Sequence, residues 1–448
     1  MSLSARILLL LLAAWLVFAL AGQERRLHGD EAFFLTFARN AAVRGDWWLL
    51  GDLDKPPLLI YGQALGLMAF GVSHDAQDVL QLEAARGEFV GRWLGAASGL
   101  AFLALLLRLP GGAWTAMILM TAPGWRQYSA SAFMDMPMLA LSLGAALLQQ
   151  RSRWGGAGLL AALAFACKPQ AVLLWPLVAL SGQRCHWRGV LVVLLSLLAL
   201  WAWDTARPWT SVFALGAGNN AAFGRWRALD EALAWSWQWL AALLRLSGPL
   251  APATLFTAGL AFWRARASWR AWALALWALI FSALHILPEV AHYERYALPL
   301  ALLLAWGASW MLARWRRWHA LLACALIGLT LSPQASLADF QPQGDFVGAA
   351  DFLNVQPIAS VVYAPWHGWH LDYYLGPWTN KRRVYYPTPE AFVRGVMSLD
   401  ERGARYFVSR TDPVETEAWL GQLRARGWRV VLDWQDGAAL RIWRLEPP

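Results

Sequence analysis

The sequence predicts a multi-span α-helical membrane protein of about eleven transmembrane helices, followed by a small C-terminal α/β domain. Three observations predict it. The 448-residue chain is 58% hydrophobic, above the ~45–50% usual for soluble domains, and the excess is gathered into repeated long apolar runs. The loops between those runs alternate in charge. From about Ser336 onward the composition changes to short β-rich runs and charged helical stretches.

The apolar runs centre near residues 7–22, 90–107, 111–124, 131–149, 155–167, 169–181, 187–203, 248–263, 271–287, 297–313 and 319–333. The 155–181 stretch reads either as two short helices or as one hairpin interrupted at Lys168-Pro169. Residues 7–21 follow Arg6 and end in small residues, so they also have the shape of a secretory signal. A retained first span is the reading adopted, and cleavage would leave the other spans on the same sides. Many of the 31 tryptophans fall at the ends of runs, where an amphipathic ring favours the headgroup region.

Sidedness follows from arginine. With the N-terminus in the cytoplasm, alternate loops carry Arg108, Arg151, Arg153, Arg184, Arg188, Arg264, Arg266, Arg270, Arg314, Arg316 and Arg317 and not one carboxylate. Such loops are cytoplasmic by the positive-inside rule. All sixteen acidic residues before position 335 then lie on the outer face, so that face is where chemistry is expected. The formal net charge of +9 is explained by these loops rather than by a nucleic-acid surface. Cys167, Cys185 and Cys324 offer neither a disulfide framework nor a metal spacing.

Two outer loops are long, 23–89 and 204–247. Phe33, Phe34, Phe37 and Ala41 recur at helical spacing in the first, and Leu233, Trp237, Leu240 and Leu244 in the second. Such helices lie along a membrane surface or pack against the bundle. The C-terminal segment shows strand signals at SVVYA, RRVYY, RYFVS, WRVVLDW and ALRIW, with helical patterns near 345–354, 388–398 and 415–426. The expected organisation is a membrane domain over 1–335 and an α/β domain over 336–448 on the outer face.

Within that frame the candidate residues are few. Asp30 and Glu31 open an amphipathic helix in HGDEAFF, as caps or as an acceptor-activating pair. Asp135 lies among apolar neighbours in SAFMDMPMLAL, where a carboxylate is costly unless paired. A structural ion pair with Arg126 or Arg92 is the plain alternative. Only three lysines stand among 35 arginines, and Lys55 and Lys168 are each followed by proline at the edge of an apolar run. A lone lysine there snorkels to the headgroups. Two on one face suggest point charges for a phosphate, with Arg126, Arg225 and Arg295 as further outer-face cations.

The order GDEAFFLTFARNAAVRGDWW, DKPPLLIYG, FMDMPMLAL, ACKPQAVLLWP, NNAAFGRW and HYERYALPLALLLAWG resembles the polyprenyl-phosphate-dependent membrane glycosyltransferases of the GT-C class, near the lipid A aminoarabinose transferases and protein O-mannosyltransferases. The match covers nearly all of residues 1–335. The resemblance implies inverting transfer of a sugar from undecaprenyl phosphate, on the periplasmic side of a bacterial inner membrane, to lipid A, a protein or another envelope glycan. It implies that Asp30 is the main catalytic carboxylate and Asp135 the second. Lys55 and Lys168 would sit on the donor phosphate together with Arg295, and Tyr61, Asn220 and Tyr296 would line the substrate. Some relatives bind a divalent metal. Asp54 matches that acidic position, but NNAAFGRW has Asn219 and Asn220 and no histidine, which argues against a metal. His28 and His292 are histidines of the outer loops. GWHLDYYLG resembles the family loosely; its Trp366, His367, Trp369 and His370 form either a packed interface or an acceptor contact.

The other class considered is a transporter or flippase for a lipid-linked anion. It shares the spans and the cations, but transporters carry internal repeats and mid-membrane binding groups. This chain shows no repeat, and its charges gather at one face.

Overall fold

The computed structural model describes residues 25–74, 80–82, 84–182, 186–220, 224–290, 293–314, 319–331, 336–341, 344–375, 381–398, 403–410, 412–437 and 439–448. The first expected span, Cys185 and His292 lie outside them. The chain packs as two compact units. Of the described residues, one unit gathers those within 47–63 and 92–339; the other gathers those within 25–46, 64–91 and 340–448.

The first unit is built from helices. Its hydrophobic runs become Trp93–Leu106, Gly112–Met120, Pro123–Ser129, Asp135–Gln150, Trp154–Cys167, Trp175–Ser181, Trp187–Ala206, Ala251–Ala265, Trp269–Ile286, Leu298–Leu312 and His319–Leu331. Among the described residues, four stretches are long and apolar enough to cross a membrane: Arg86–Leu106, Trp187–Ala206, Leu229–Ala265 and Trp269–Ile286. Trp187–Ala206 leaves Leu194, Leu195, Leu198 and Trp201 exposed. A helix apolar on its exposed face is a lipid-facing one, so the chain is an integral membrane protein. The ambiguous 155–181 stretch is two helical pieces. Lys168 takes an extended conformation between them, as a residue before proline prefers. Helices approach closely at glycines: a Cβ on Gly158 would strike the backbone of Gly189 on a neighbouring helix, the small-residue contact typical of bundles in lipid. Gly248 has φ +69° and lies against Pro123. It turns the chain between Leu229–Ser247 and Ala251–Ala265, where other residues would be strained.

The two amphipathic stretches behave differently. Phe33, Phe34, Phe37 and Ala41 are buried by protein. On Leu229–Ser247, Leu233 and Trp237 are exposed while Trp239, Ala242 and Leu246 on the other side are buried.

In the second unit, strands β1 (Val72–His74) and β2 (Leu80–Leu82) form a small antiparallel pair. The C-terminal segment makes a five-stranded mixed sheet from β3 (Val361–Tyr363), β4 (Arg382–Val384), β5 (Arg405–Arg410), β6 (Arg429–Gln435) and β7 (Leu440–Glu446), in the order β4-β3-β5-β7-β6. β3 is parallel to β4 and β5, and β7 is antiparallel to β5 and β6. All five strand signals and the three helical patterns are realised, the helices as Phe346–Asn354, Pro389–Ser398 and Pro413–Arg424. Val361, Tyr363 and Phe407 share one core with Phe392, Trp419 and Leu420. Tyr406, next to Phe407 and so on the opposite face, meets Phe352 at 6.2 Å. The helix Gly368–Leu375 was not foreseen.

Candidate active site

In the first unit, Asp135 begins the helix Asp135–Gln150, where the positive end of the helix dipole favours a carboxylate. Its Oδ1 accepts a 2.6 Å hydrogen bond from Lys168 Nζ, and its Oδ2 lies 3.9 Å from Arg295 Nε. Arg295 Nη1 donates at 2.5 Å to Asp339 Oδ2, which also accepts from the Tyr128 hydroxyl at 2.9 Å. All four charged residues are buried. Such charges survive burial only when paired and hydrogen-bonded. Aromatic rings surround them: the Arg295 guanidinium lies 4.2 Å from the Tyr293 ring and 4.7 Å from Phe133, and Lys168 Nζ lies 4.7 Å from the Tyr296 ring. Asp135, Lys168, Gln170, His285, Arg295 and Tyr296 border a cavity of about 10 Å³, room for roughly one water. Asp135 is thus ion-paired, but with Lys168 and Arg295 rather than with Arg126 or Arg92.

Beside this cluster runs the Lys-Pro-Pro loop. Lys55 Nζ is 2.5 Å from Asp54 Oδ2, and Asn219 Nδ2 donates to the same oxygen at 2.9 Å. Lys55 is near enough to Lys168 for their charges to repel. The loop is fastened by Arg207, which is buried and donates to the carbonyls of Trp48 (3.0 Å), Leu49 (2.5 Å) and Gly51 (2.5 Å). Leu49 itself has φ +52°, a strained conformation for a branched residue that this fork holds in place. Ser211 caps the helix Val212–Asn219 by accepting from Ala214 N at 3.2 Å, and Asp204 supports the cap by accepting from Val212 N at 2.7 Å and from the Ser211 hydroxyl at 2.5 Å. That helix in turn presents Asn219 to Asp54.

The other predicted residues of this unit have plainer surroundings. The Tyr61 hydroxyl donates to Trp47 O at 2.6 Å and accepts from Trp203 Nε1 at 2.9 Å. The Asn220 side chain is exposed and donates to Gly216 O at 2.7 Å. Arg126 is half-buried on Pro123–Ser129. Arg225 is exposed; its carbonyl accepts from Glu289 N, and no ion pair joins it to the cluster among the described residues.

In the second unit, Asp30 and Glu31 stand in the first turn of Gly29–Arg44. Glu31 is fully buried. It accepts the His28 backbone N–H at 2.9 Å, closing a capping box with the His28 side chain, and takes Arg25 bidentately at 2.6 and 2.8 Å. Asp30 is half-buried, and its carboxylate is not one of the capping groups. The helix is held by Gly368–Leu375. The buried Arg39 donates to Asp372 O at 2.8 Å and to Tyr373 O, satisfying carbonyls at the helix end. Tyr374 OH donates to Glu88 at 2.5 Å and accepts from Leu27 N at 3.1 Å. Trp369 packs on Phe33 at 4.4 Å, and His370 stacks on Phe346 at 4.2 Å. Burial lowers His370 to about 3, helped by His28, and holds His367 well below the usual imidazole range. Both are therefore neutral. His367 and His370 are buried inside this unit and Trp366 packs against Trp419, while Trp369 remains partly exposed.

A divalent metal does not fit Asp54. Its carboxylate oxygen already carries an ammonium at 2.5 Å, which would repel a second cation. Among the described residues no three His, Cys, Asp or Glu side chains gather as a metal set. Sequence reasoning missed Asp339, Tyr128 and Arg207. Asp339 had one signal, as the first carboxylate after the last apolar run. Tyr128 and Arg207 had none.

The overall fold is shared with a solved membrane protein, ArnT. The crystal structure of ArnT from Cupriavidus metallidurans bound to undecaprenyl phosphate superposes with a TM-score of 0.68 at 16% identity, covering 99% of this chain and 98% of that one. The apo structure of the same protein gives 0.63 with the same identity and coverage. No family model matches the chain, and no curated protein matches it in sequence.

Proposed function

We propose that this protein is a membrane glycosyltransferase that takes a sugar from a polyprenyl-phosphate donor and places it on an acceptor in the cell envelope. One observation carries the reading. Lys168 and Arg295, from two separate segments, border one small aromatic-walled cavity, with the Lys55 charge near enough to act on Lys168, in a fold shared with a protein crystallised with undecaprenyl phosphate. Cations held by Asp135, Asp339 and Asp54 are already oriented when a phosphate arrives.

In this reading the acceptor oxygen attacks the anomeric carbon as the bond to the phosphate oxygen breaks, with inversion. Polyprenyl phosphate leaves with the bonding electrons. Charge grows on its oxygens, and preorganised cations stabilise that charge more in the transition state than in the ground state. Asp30 takes the acceptor proton, or orients an acceptor that is already ionised. Glu31 fixes the turn that carries Asp30. Lys55 serves as the accessible phosphate ligand, since it is half-buried where Lys168 and Arg295 are closed in. Arg126 and Arg225 supply background charge on the same face. Tyr296 keeps Lys168 in place, and Tyr61 and Asn220 border the substrate. Eleven spans from a cytoplasmic start put the acidic loops and the C-terminal sheet in the periplasm of a bacterial inner membrane. The acceptor is lipid A, a protein hydroxyl or another envelope glycan.

The test is mass spectrometry of envelope glycolipids and glycoproteins from cells with and without the gene, complemented by wild type or Lys55→Ala. A sugar lost in the deletion, restored by wild type and not by the variant, supports transfer. Unchanged glycans with mislocalised lipid carrier would replace transfer by transport.

A further inference from the structure

An apolar cavity in the first unit lies well away in sequence from the candidate cluster. It opens between Ala251–Ala265, Trp269–Ile286 and Leu298–Leu312, holds about 550 Å³, and is walled by Leu255, Phe262, Leu274, Leu303, Trp306 and Trp310 among other apolar groups. Only Ser268 and Arg270, at one end, are polar lining residues. From Ala265 to Leu255 is ten residues of helix, about 15 Å, or half the ~30 Å hydrocarbon layer. The slot is therefore one leaflet deep.

Its polar end carries charge without counter-charge. Arg264 stands in the last turn of Ala251–Ala265, Arg266 in the connection, Arg270 in the first turn of Trp269–Ile286 and Arg314 just past Leu298–Leu312; residues 264–270 and 312–314 contain no carboxylate. None of the four pairs with an acidic side chain among the described residues. They lie instead on aromatic and sulfur groups: Arg266 is 3.8 Å from the Trp263 ring, Arg314 is 3.4 Å from Trp310, and Arg264 reaches Met311 Sδ at 3.5 Å. Trp263, Trp269 and Trp272 are exposed here, the belt that marks headgroup level. Ser268 caps the helix Trp269–Ile286 without a side-chain bond, so first-turn N–H groups remain to meet an anion.

We infer that this slot binds an anionic phospholipid of the leaflet at the basic loop, one acyl chain lying between the helices and the phosphate on Arg270, Arg266 and the Ser268 turn. An uncharged cleft of this shape would accept any lipid. The unpaired arginines select a phosphate diester with no compensating ammonium. The slot opens at the arginine loops, whereas the donor reading uses the carboxylate-bearing face, so the inference is independent of the transferase assignment.

The experiment is native mass spectrometry of the detergent-purified full chain mixed with phosphatidylglycerol or with phosphatidylcholine of identical acyl chains. Phosphatidylglycerol should be retained at least tenfold better. Arg266→Gln and Arg270→Gln should each weaken it roughly fivefold, at about 1 kcal/mol per basic group near a lipid surface, while phosphatidylcholine is unchanged. A Cβ on Gly259 meets open space, so Gly259→Leu fills the slot without a backbone clash and should reduce retention of both lipids. Equal retention of the two lipids, insensitivity to both arginine substitutions, or displacement of phosphatidylglycerol by undecaprenyl phosphate one for one would each overturn the assignment. Unaltered melting of Gly259→Leu separates a filled slot from a misfolded chain.

Discussion

The two units use carboxylates in opposite ways. In the helical unit every carboxylate of the candidate site is tied to a cation: Asp135 to Lys168, Asp339 to Arg295, Asp54 to Lys55. These acids position cations, and the cations are the working groups. In the unit holding the C-terminal sheet, Glu31 is likewise spent, on Arg25 and the helix cap, but Asp30 beside it stays outside the cap at partial exposure. Neighbouring acids one residue apart are thus given one structural task and one chemical opportunity. The difference teaches that two adjacent carboxylates on one helix turn can have different surroundings, Glu31 fully buried in the cap and Asp30 partly exposed outside it.

The sharpest way to break that comparison is to neutralise the two acids separately. Asp30→Asn should lower transfer about 10²–10⁴-fold if Asp30 takes the acceptor proton, with unchanged melting temperature. Glu31→Gln should instead lower stability, because a fully buried Arg25 partner is lost. A partial defect of Asp30→Asn, tenfold or less, would show that Asp30 only orients the acceptor. In the other unit, Lys168→Met leaves Asp135 buried with its closest cation gone. Removing one member of a buried pair costs about 3–5 kcal/mol, read by thermal unfolding in detergent; the double variant with Asp135→Leu should recover part of that loss.

Smaller effects follow. Arg207→Lys replaces a planar fork by a point charge that cannot reach three carbonyls at once. The Lys55 loop should loosen, raising the KM for the donor several-fold while kcat falls less. If kcat and KM are both unaffected, Arg207 has no part in placing Lys55. Another effect concerns pH. His370 and His367 are depressed in the folded protein, so below about pH 6.5 the unfolded chain binds protons that the folded chain refuses. Stability present above pH 6.5 should be lost as pH falls toward 3, by roughly 1 kcal/mol per histidine per pH unit. His370→Phe should flatten the dependence of melting temperature on pH between 6.5 and 5.

Much of this architecture was legible in residue order. Apolar runs named the helices because burial of a span in lipid depends on composition alone, and the β-rich pattern named all five C-terminal strands. The break at Lys168-Pro169 was legible for a local reason, the steric demand of proline on the residue before it. The contents of the ion cluster were not. The plain alternative for Asp135 was an ion pair with Arg126 or Arg92, residues near it in sequence or in the adjoining span, but its partners lie 33 and 160 residues away. Likewise, the helical stripe Phe33–Phe37 gave no indication that Gly368–Leu375 would cover it.

The sequence by itself determined where the chain is apolar, which loops carry arginine and which carry acid, and where proline and glycine interrupt helices. Those are properties of single residues and their nearest neighbours. Only the tertiary structure decided which acid pairs with which base, that Arg207 clamps the Lys55 loop, and that residues 25–46 pack with the C-terminal segment. Buried charges are tolerated only in pairs, and a pair is a fact of three-dimensional proximity that no local pattern encodes.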